Sequence, residues 1–393
     1  MPGGKSKKTL YTIHNKASLI SGGKGYFDRL EQLINTAKQT IHLQTYIYDD
    51  DETGNKIAEA LMAAAKRGVG VYMLLDGYAS QHLSSVFINM LKDAGIHFSF
   101  FEPLLRSKNY YFGRRLHYKV VVADAACCLV GGRNISNRYN DMPGTPAWLD
   151  WAVYTEGEVA TGIQDVCIKR WNNHCGKAER ITATAMPVYK VEDECHIRIR
   201  VNDWVNRKTE VLQAYMQMFA TAQEEMIVMS SYFWPGKKLV SKMADAANRG
   251  VHVKLVLASI SDVKLAKYAE RYMYRWLFKK NIEIYEYNKN VLHGKIAVCD
   301  KKWVTIGSYN VNNISARASV ELNLDIMNEA FAATTHKQLS DIINTDCALV
   351  TSAIYGKEYN FFEQLFQQAA FILLNIIFFV FTFYFRRRRK HAA

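Results

Sequence analysis

The chain has little that would serve export or metal binding. Behind Lys5, Lys7 and Lys8 there is no apolar run of signal-peptide length, which argues against export of the body by that route. Its 7 cysteines are an odd number at scattered positions. Only Cys127 and Cys128 are adjacent, and no CxxC pair with metal-ligand spacing occurs. Reduced cysteines in a cytosolic body are therefore expected, with no metal site. Positive charge is also scarcer in the body than its total suggests. The net charge is +13, but most of it comes from the three N-terminal lysines together with Arg386, Arg387, Arg388, Arg389 and Lys390. A mildly basic body argues against a long groove that tracks nucleic-acid phosphates.

What is present is globular and large. At 393 residues, 49% hydrophobic and 22% charged, the chain suffices for two ordinary domains or one core with two lobes, and wholesale disorder is excluded.

An internal repeat organises it. Residues 57–77, IAEALMAAAKRGVGVYMLLDG, match residues 239–259, LVSKMADAANRGVHVKLVLAS. Each pairs an amphipathic helical pattern with an Arg-Gly-Val stop and an apolar strand. The match extends upstream from TIHLQTYIYDD (40–50) to EMIVMSSYFWP (225–235), and downstream from AGIHFSFFE (94–102) to KNIEIYEYN (280–288). Helices beginning near Tyr26 and Thr209 open the two copies. Alternating helix and strand predict α/β units with largely parallel pairing, two of them about a pseudo-twofold axis with a cleft at the dyad. The expected division is an N-terminal basic segment at 1–25, a first repeat at 26–190 and a second at 191–352. The break is placed within 177–206, around Pro187. A linker at 353–363, a hydrophobic membrane segment at 364–385 and a basic tail at 386–393 follow.

That membrane segment contains seventeen consecutive uncharged residues, AAFILLNIIFFVFTFYF at 369–385. A helix of this length covers about 25 Å, a little short of a bilayer's hydrocarbon core. A buried core helix is the alternative, but the run is apolar all round and precedes a basic cluster. Full spanning from a cytosolic body would put the arginines outside, against the positive-inside tendency. Shallow insertion, with the arginines at anionic headgroups, avoids that conflict.

The chemistry lies in two copies of one motif. HYKVVVAD supplies His117, Lys119 and Asp124, and HGKIAVCD supplies His293, Lys295 and Asp300. From each His, the Lys, Asp, a Gly and an Asn follow at two, seven, fourteen and seventeen residues, the last being Asn134 and Asn310. On a strand, His and Lys two apart share a face. Lysine supplies a compact charge for phosphate oxygens, and an imidazole can attack phosphorus or move a proton. Asp124 and Asp300 count with His and Lys among the catalytic candidates of the motif, although the Asp lies at an odd offset and faces away, which suits a structural hydrogen bond in the next turn. Asn134 and Asn310 follow small residues in GGRN and GSYN and can donate to a phosphate oxygen, with Ser308 beside the second. Asp150 in AWLDWAVY and Glu321 in ASVELNLDI interrupt apolar stretches and are candidates to orient the histidines, although each could be a solvent-facing acid on an edge strand.

With these residues the chain resembles the phospholipase D superfamily, whose members join two such motifs at one active site. The resemblance covers roughly residues 26 to 350. QTYIYDDDETG, GGRNISNRY, PAWLDWAVYTEG, SSYFWP and GSYNVNNISARASVELNLDI look like bacterial cardiolipin synthases in particular. It implies two α/β repeats with one shared site and no metal or other cofactor. It also implies a covalent phosphohistidine on His117, protonation of the leaving alcohol by His293, a phosphate held by Lys119, Lys295, Asn134 and Asn310, and histidines oriented by Asp150 and Glu321. The implied substrate is an anionic phospholipid such as phosphatidylglycerol, handled at the cell membrane by a body on the cytoplasmic side, with no obligate nucleic acid. Three alternatives stay open: a phospholipase with water as acceptor, a membrane-attached phosphodiesterase or nuclease, and an inactive scaffold that binds anionic lipid. The chain departs from many cardiolipin synthases in carrying its hydrophobic segment after the second repeat. It also has Gly132 where the second copy has Ser308.

Overall fold

A computed structural model of the chain describes residues 10–103, 114–181, 189–358 and 360–388. Lys5, Lys7, Lys8, Pro187, Arg389 and Lys390 lie outside these. The described residues form a 16-stranded mixed sheet, fifteen strands in one path and the two-residue strand Lys208–Thr209 beside it, paired to Glu194–Asp203. From one edge it runs Cys347–Val350, Glu283–Tyr287, His252–Ala258, Glu225–Ser230, Lys295–Cys299, Trp303–Gly307, Val320–Met327 and Glu194–Asp203. It continues with Thr12–Ser21, Trp151–Gly157, Cys127–Gly131, Lys119–Ala123, Thr40–Thr45, Gly70–Asp76 and His97–Phe101. Apart from the first edge strand, the second half of this order mirrors the first. The two repeats therefore meet through one antiparallel pair, in which Thr12 faces Ile197 and His14 faces Glu194.

Thr12–Ser21, expected to precede the first repeat, is thus a central strand, the counterpart of Glu194–Asp203. Its TIHNKASLIS side chains are mostly half-buried and polar, so it carries no apolar alternation for a sequence reading to detect. Pairing also differs from the largely parallel expectation. Only the strand-helix-strand stretches are parallel, as at Thr40–Thr45 with Gly70–Asp76 and Glu225–Ser230 with His252–Ala258. Both motif strands pair antiparallel on either side. With the strand that follows each, the short turns at 124–126 and 300–302 leave no length for the crossover that a parallel partner requires.

The repeated Arg-Gly-Val stop has a physical basis. Gly68 and Gly250 adopt φ of 90° and 92°, a left-handed conformation that ends helices Glu52–Lys66 and Lys237–Asn248. The arginine before each glycine reaches back to a carbonyl at the end of the preceding helix, Arg67 to Ile34 at 2.9 Å and Arg249 to Phe219 at 2.7 Å. Each repeat buries an apolar cluster of its own under these helices, and a third cluster, from Leu116 and Trp151 to Ile296 and Leu322, is shared between the repeats.

The motif aspartates belong to this framework. Asp124 accepts the N–H groups of Lys38, Gln39 and Thr40 at 2.8, 2.8 and 2.9 Å. Asp300 accepts those of Gln223, Glu224 and Glu225 at 2.9, 2.9 and 3.0 Å. Both sit in left-handed two-residue turns, with φ of 55° and 50°. Each clamps the turn that enters the strand beside its own motif strand. Replacing Asp300 with Ala is expected to lower unfolding stability by about 1–3 kcal/mol in urea titrations. The folded fraction should keep its turnover, and a selective loss of turnover without loss of stability would refute the structural role.

Candidate active site

Each motif histidine is held by the opposite repeat. The His117 N–H donates to the Val320 carbonyl at 3.0 Å, and the Val320 N–H donates to the Arg115 carbonyl at 2.8 Å. The next residue, Glu321, then receives His117 Nδ1 at 2.9 Å. The second half repeats this arrangement: His293 N–H to the Leu149 carbonyl at 2.7 Å, Leu149 N–H to the Val291 carbonyl at 2.9 Å, and His293 Nδ1 to Asp150 at 2.6 Å. A carboxylate at Nδ1 fixes the tautomer that carries its proton there. Nε2 is left as the free ring nitrogen for chemistry, and both rings line one cleft of 520 Å³.

The lysines and asparagines sit around these rings. Lys119 and Lys295 are buried, and each Nζ donates to the carbonyl of its own motif histidine. Lys295 also donates to Ser231 at 3.0 Å, while Lys119 lies 5.2 Å from the Tyr46 ring centre. Asn134 and Asn310 both line the cleft. The Asn134 side chain bridges the Ile47 N–H and the Tyr139 hydroxyl, whereas the Asn310 side-chain oxygen is buried without a partner. Ser308 turns away from a phosphate position and donates to Glu321 at 2.5 Å. Its counterpart cannot carry a side chain, because a Cβ on Gly132 would stand 2.4 Å from the Asp150 carboxylate. The departure between GG and GS therefore follows the carboxylates: serine steadies the longer Glu321, and glycine clears room for Asp150. Asp124 and Asp300 take no part in the site.

Burial dominates the electrostatics. It lowers His293 to about 3, assisted by Lys295, and lowers His117 as well, with Lys119 adding to the effect and Glu321 opposing it. Burial and the nearby charge of Lys295 bring Lys119 down to about 7, and burial brings Lys295 to about 8. Burial works against ionisation of Asp150, but Lys295, His293 and Arg133 outweigh it and keep the carboxyl below its usual range. Two buried lysines that repel one another form a site for an anion, whose charge would restore both protons.

Sequence reasoning missed much of the cleft lining. Tyr46 packs edge-on to His117 with ring centres 5.0 Å apart, and Tyr139 packs edge-on to His293 at 5.1 Å. Trp148, Arg115 and Arg138 join the rim. Tyr46 directly follows a strand that the repeat had identified, so its counterpart Ser231 beside Lys295 was a usable signal. No group of three or more His, Cys, Asp or Glu residues placed to hold a metal occurs among the described residues.

Two α/β repeats that each bring a His and an Asn to one cleft, with a buried Lys behind each His, define an enzyme of the phospholipase D class. The family model described as "Cardiolipin synthase, PLD-like domain" matches residues 30–143 and 215–343, and the chain belongs to that family. It is 32% identical over 356 residues to cardiolipin synthase B of Shigella flexneri, covering 87% of this chain and 84% of that one. Cardiolipin synthase B of Salmonella typhi is 33% identical over 364 residues, at the same coverages. In fold, the chain is similar to the crystal structure of phosphatidylserine synthase from Haemophilus influenzae Rd KW20, with a TM-score of 0.73, 14% identity and coverage of 94% and 96%.

The lysine environment gives a pH dependence. With Lys119 brought down to about 7 and Lys295 to about 8, both lysines lose their protons in the empty site as pH rises through this range. Binding of a non-hydrolysable phosphodiester monoanion should weaken by about tenfold or more from pH 6 to pH 9, with proton uptake near neutrality. Calorimetry in buffers of different ionisation enthalpy reads both effects, and a flat affinity would count against the lysines as the anion's ligands.

Proposed function

We propose that this protein transfers a phosphatidyl group between phospholipids, forming cardiolipin from phosphatidylglycerol through a phosphohistidine. The observation that carries the reading is the crossed pair of imidazole–carboxylate contacts in one cleft beside two buried lysines. His117 Nε2 attacks phosphorus while Lys119, Lys295, Asn134 and Asn310 hold the non-bridging oxygens. His293 Nε2 gives its proton to the departing glycerol oxygen and then accepts one from the incoming lipid hydroxyl, which attacks phosphorus and releases His117. The anionic substrate supplies what the empty site lacks, because its charge offsets Lys295 and Lys119 and lets His293 hold a proton. Asp150 and Glu321 keep both rings in the required tautomer. Ser308 serves this reading as a positioning residue for Glu321. The repeats divide near residue 190.

A membrane setting fits this substrate. Helix Phe361–Arg388 is long and apolar enough to cross a bilayer by length and composition. Its inner stripe, however, packs on the body as far as Phe378. A helix seated on the body over that length is not free to span a hydrocarbon core of about 30 Å. The helix is accordingly read as lying in the interface, with the body on the cytoplasmic side and the arginines among anionic headgroups.

Two measurements test the chemistry. Purified full-length protein in phosphatidylglycerol vesicles should yield cardiolipin and free glycerol by mass spectrometry, whereas phosphatidic acid would indicate hydrolysis instead. With a p-nitrophenyl phosphodiester, whose leaving group needs no acid, His293→Ala should keep a burst of nitrophenol and accumulate phosphohistidine at residue 117. His117→Ala should give neither. The reverse pattern would exchange the two roles.

A further inference from the structure

The C-terminal helix lies beyond both segments matched by the family model, so the family likeness assigns it nothing. Its packing gives it a place in the site. The helix is apolar over much of its circumference, and a stripe of Gln367, Ala370, Phe371, Leu374 and Phe378, spaced three or four apart, meets the body, flanked by Phe366 against Tyr268. Gln367 and Ala370 are buried, and the Tyr355 hydroxyl donates to the Gln367 side chain. Phe371 meets Tyr272 with ring centres 4.9 Å apart, and Phe378 meets Trp234 edge-on at 5.6 Å. The helix is thereby seated on helix Lys264–Tyr272 and on the loop after strand Glu225–Ser230.

This seating brings Leu374, Ile377 and Phe378 to the wall of the cleft that holds His117 and His293. Val263, Ala266 and Ile314 of the second repeat continue the same wall, with the Asp262 carboxylate beside Val263 engaged by the Tyr232 hydroxyl. The cleft is therefore two-sided, with polar and ionisable groups around the histidines and apolar side chains toward the helix. A phosphodiester carrying hydrocarbon matches that division, because its phosphate needs the lysines and its chains gain by leaving water. The opposite face of the helix exposes Leu373, Ile376 and Phe379, with Phe379 at 55%, so the apolar wall continues outward to a surface suited to lipid.

We infer that Leu374, Ile377 and Phe378 form an acyl-chain subsite, which takes the glycerol-proximal part of a long-chain phospholipid while its phosphate sits between His117 and His293. The inference rests on the phospholipid reading of the site for the identity of its ligand. It makes the C-terminal helix a determinant of which substrates react, in addition to holding the protein at the membrane.

Photolabelling of the full-length His117→Ala protein tests it without turnover. The probe is phosphatidylglycerol with a diazirine near the carboxyl end of one acyl chain, in phosphatidylglycerol vesicles. Adducts on Leu374, Ile377 or Phe378 that unlabelled phosphatidylglycerol competes away are the expected result. Adducts confined to Leu373, Ile376 and Phe379, or absent from the helix, would overturn it. A kinetic arm uses Ile377→Ser in the otherwise wild-type chain. The ratio of kcat/KM for dioleoyl to dibutanoyl phosphatidylglycerol should fall about tenfold, since an acyl contact is worth most to the long chain. An unchanged ratio would refute the subsite. Labelling reads lipid contact whichever acceptor is used, so a protein that makes phosphatidic acid instead of cardiolipin would lose the transfer reading and keep the subsite.

Discussion

The site depends on an exchange of carboxylates between the repeats. His117 takes its backbone partner from Val320 and its side-chain partner from Glu321, while His293 takes Leu149 and Asp150. Neither repeat alone contains an oriented histidine. The central pairing of Thr12–Ser21 with Glu194–Asp203 is therefore a condition of the chemistry as well as of the fold. A second bond set across the same junction supports it. Asp203 of the second repeat accepts from Arg114 and Arg170 of the first, each at 2.9 Å. Burial opposes the charge on Asp203, but the two guanidiniums outweigh it and hold the carboxyl near 2. Its folded value is depressed, so its share of stability is complete above the ordinary carboxylate range and is lost as pH falls toward 2.

The same dyad that joins the repeats also crowds their charges. Two lysines and two histidines enter one buried region, where burial lowers all four and the charge of a neighbouring lysine adds to the effect on Lys119, His117 and His293. Two carboxylates offset part of this. A substrate that brings a phosphodiester charge supplies the remainder, so the empty site is less favourable electrostatically than the filled one. Binding energy obtained in this way is placed where the transition state also carries charge, which is how a rigid site of this kind promotes reaction.

The motif spacing made the histidines, lysines and asparagines legible, because the same offsets recur at matching places in a repeat. The motif alone counts Asp124 and Asp300 with the catalytic candidates, but their odd offset points to the turn where each carboxylate accepts backbone N–H groups. Asp150 and Glu321 were visible as acids in apolar strands, but their crossing was not, because a repeat in sequence does not state which half serves which. Ser308 illustrates a different limit. Its neighbours suggested a phosphate ligand, whereas its hydroxyl is committed to Glu321, a contact that exists only after the strands Trp303–Gly307 and Val320–Met327 pair. The seating of the C-terminal helix was equally hidden, since a helix apolar on every side announces no preferred face.

A dyad would give two identical halves, but transfer needs two unlike roles and a substrate that enters one way round. The structure breaks the symmetry at both levels. Around the histidines, Asp150 has Arg133 beside it and a glycine at the serine position, whereas Glu321 has the Ser308 hydroxyl. The two imidazoles consequently face unequal fields. At the rim, Arg115 and Arg138 come from the first repeat, and Val263, Ala266 and the C-terminal helix stand on the side of the second. The arginines, paired with Asp76 and Asp49, stand on one side, and the apolar groups, with Asp262 beside them, on the other. Under the acyl-subsite proposal, a phospholipid placed with its chains toward the helix presents its headgroup to the side that carries the arginines.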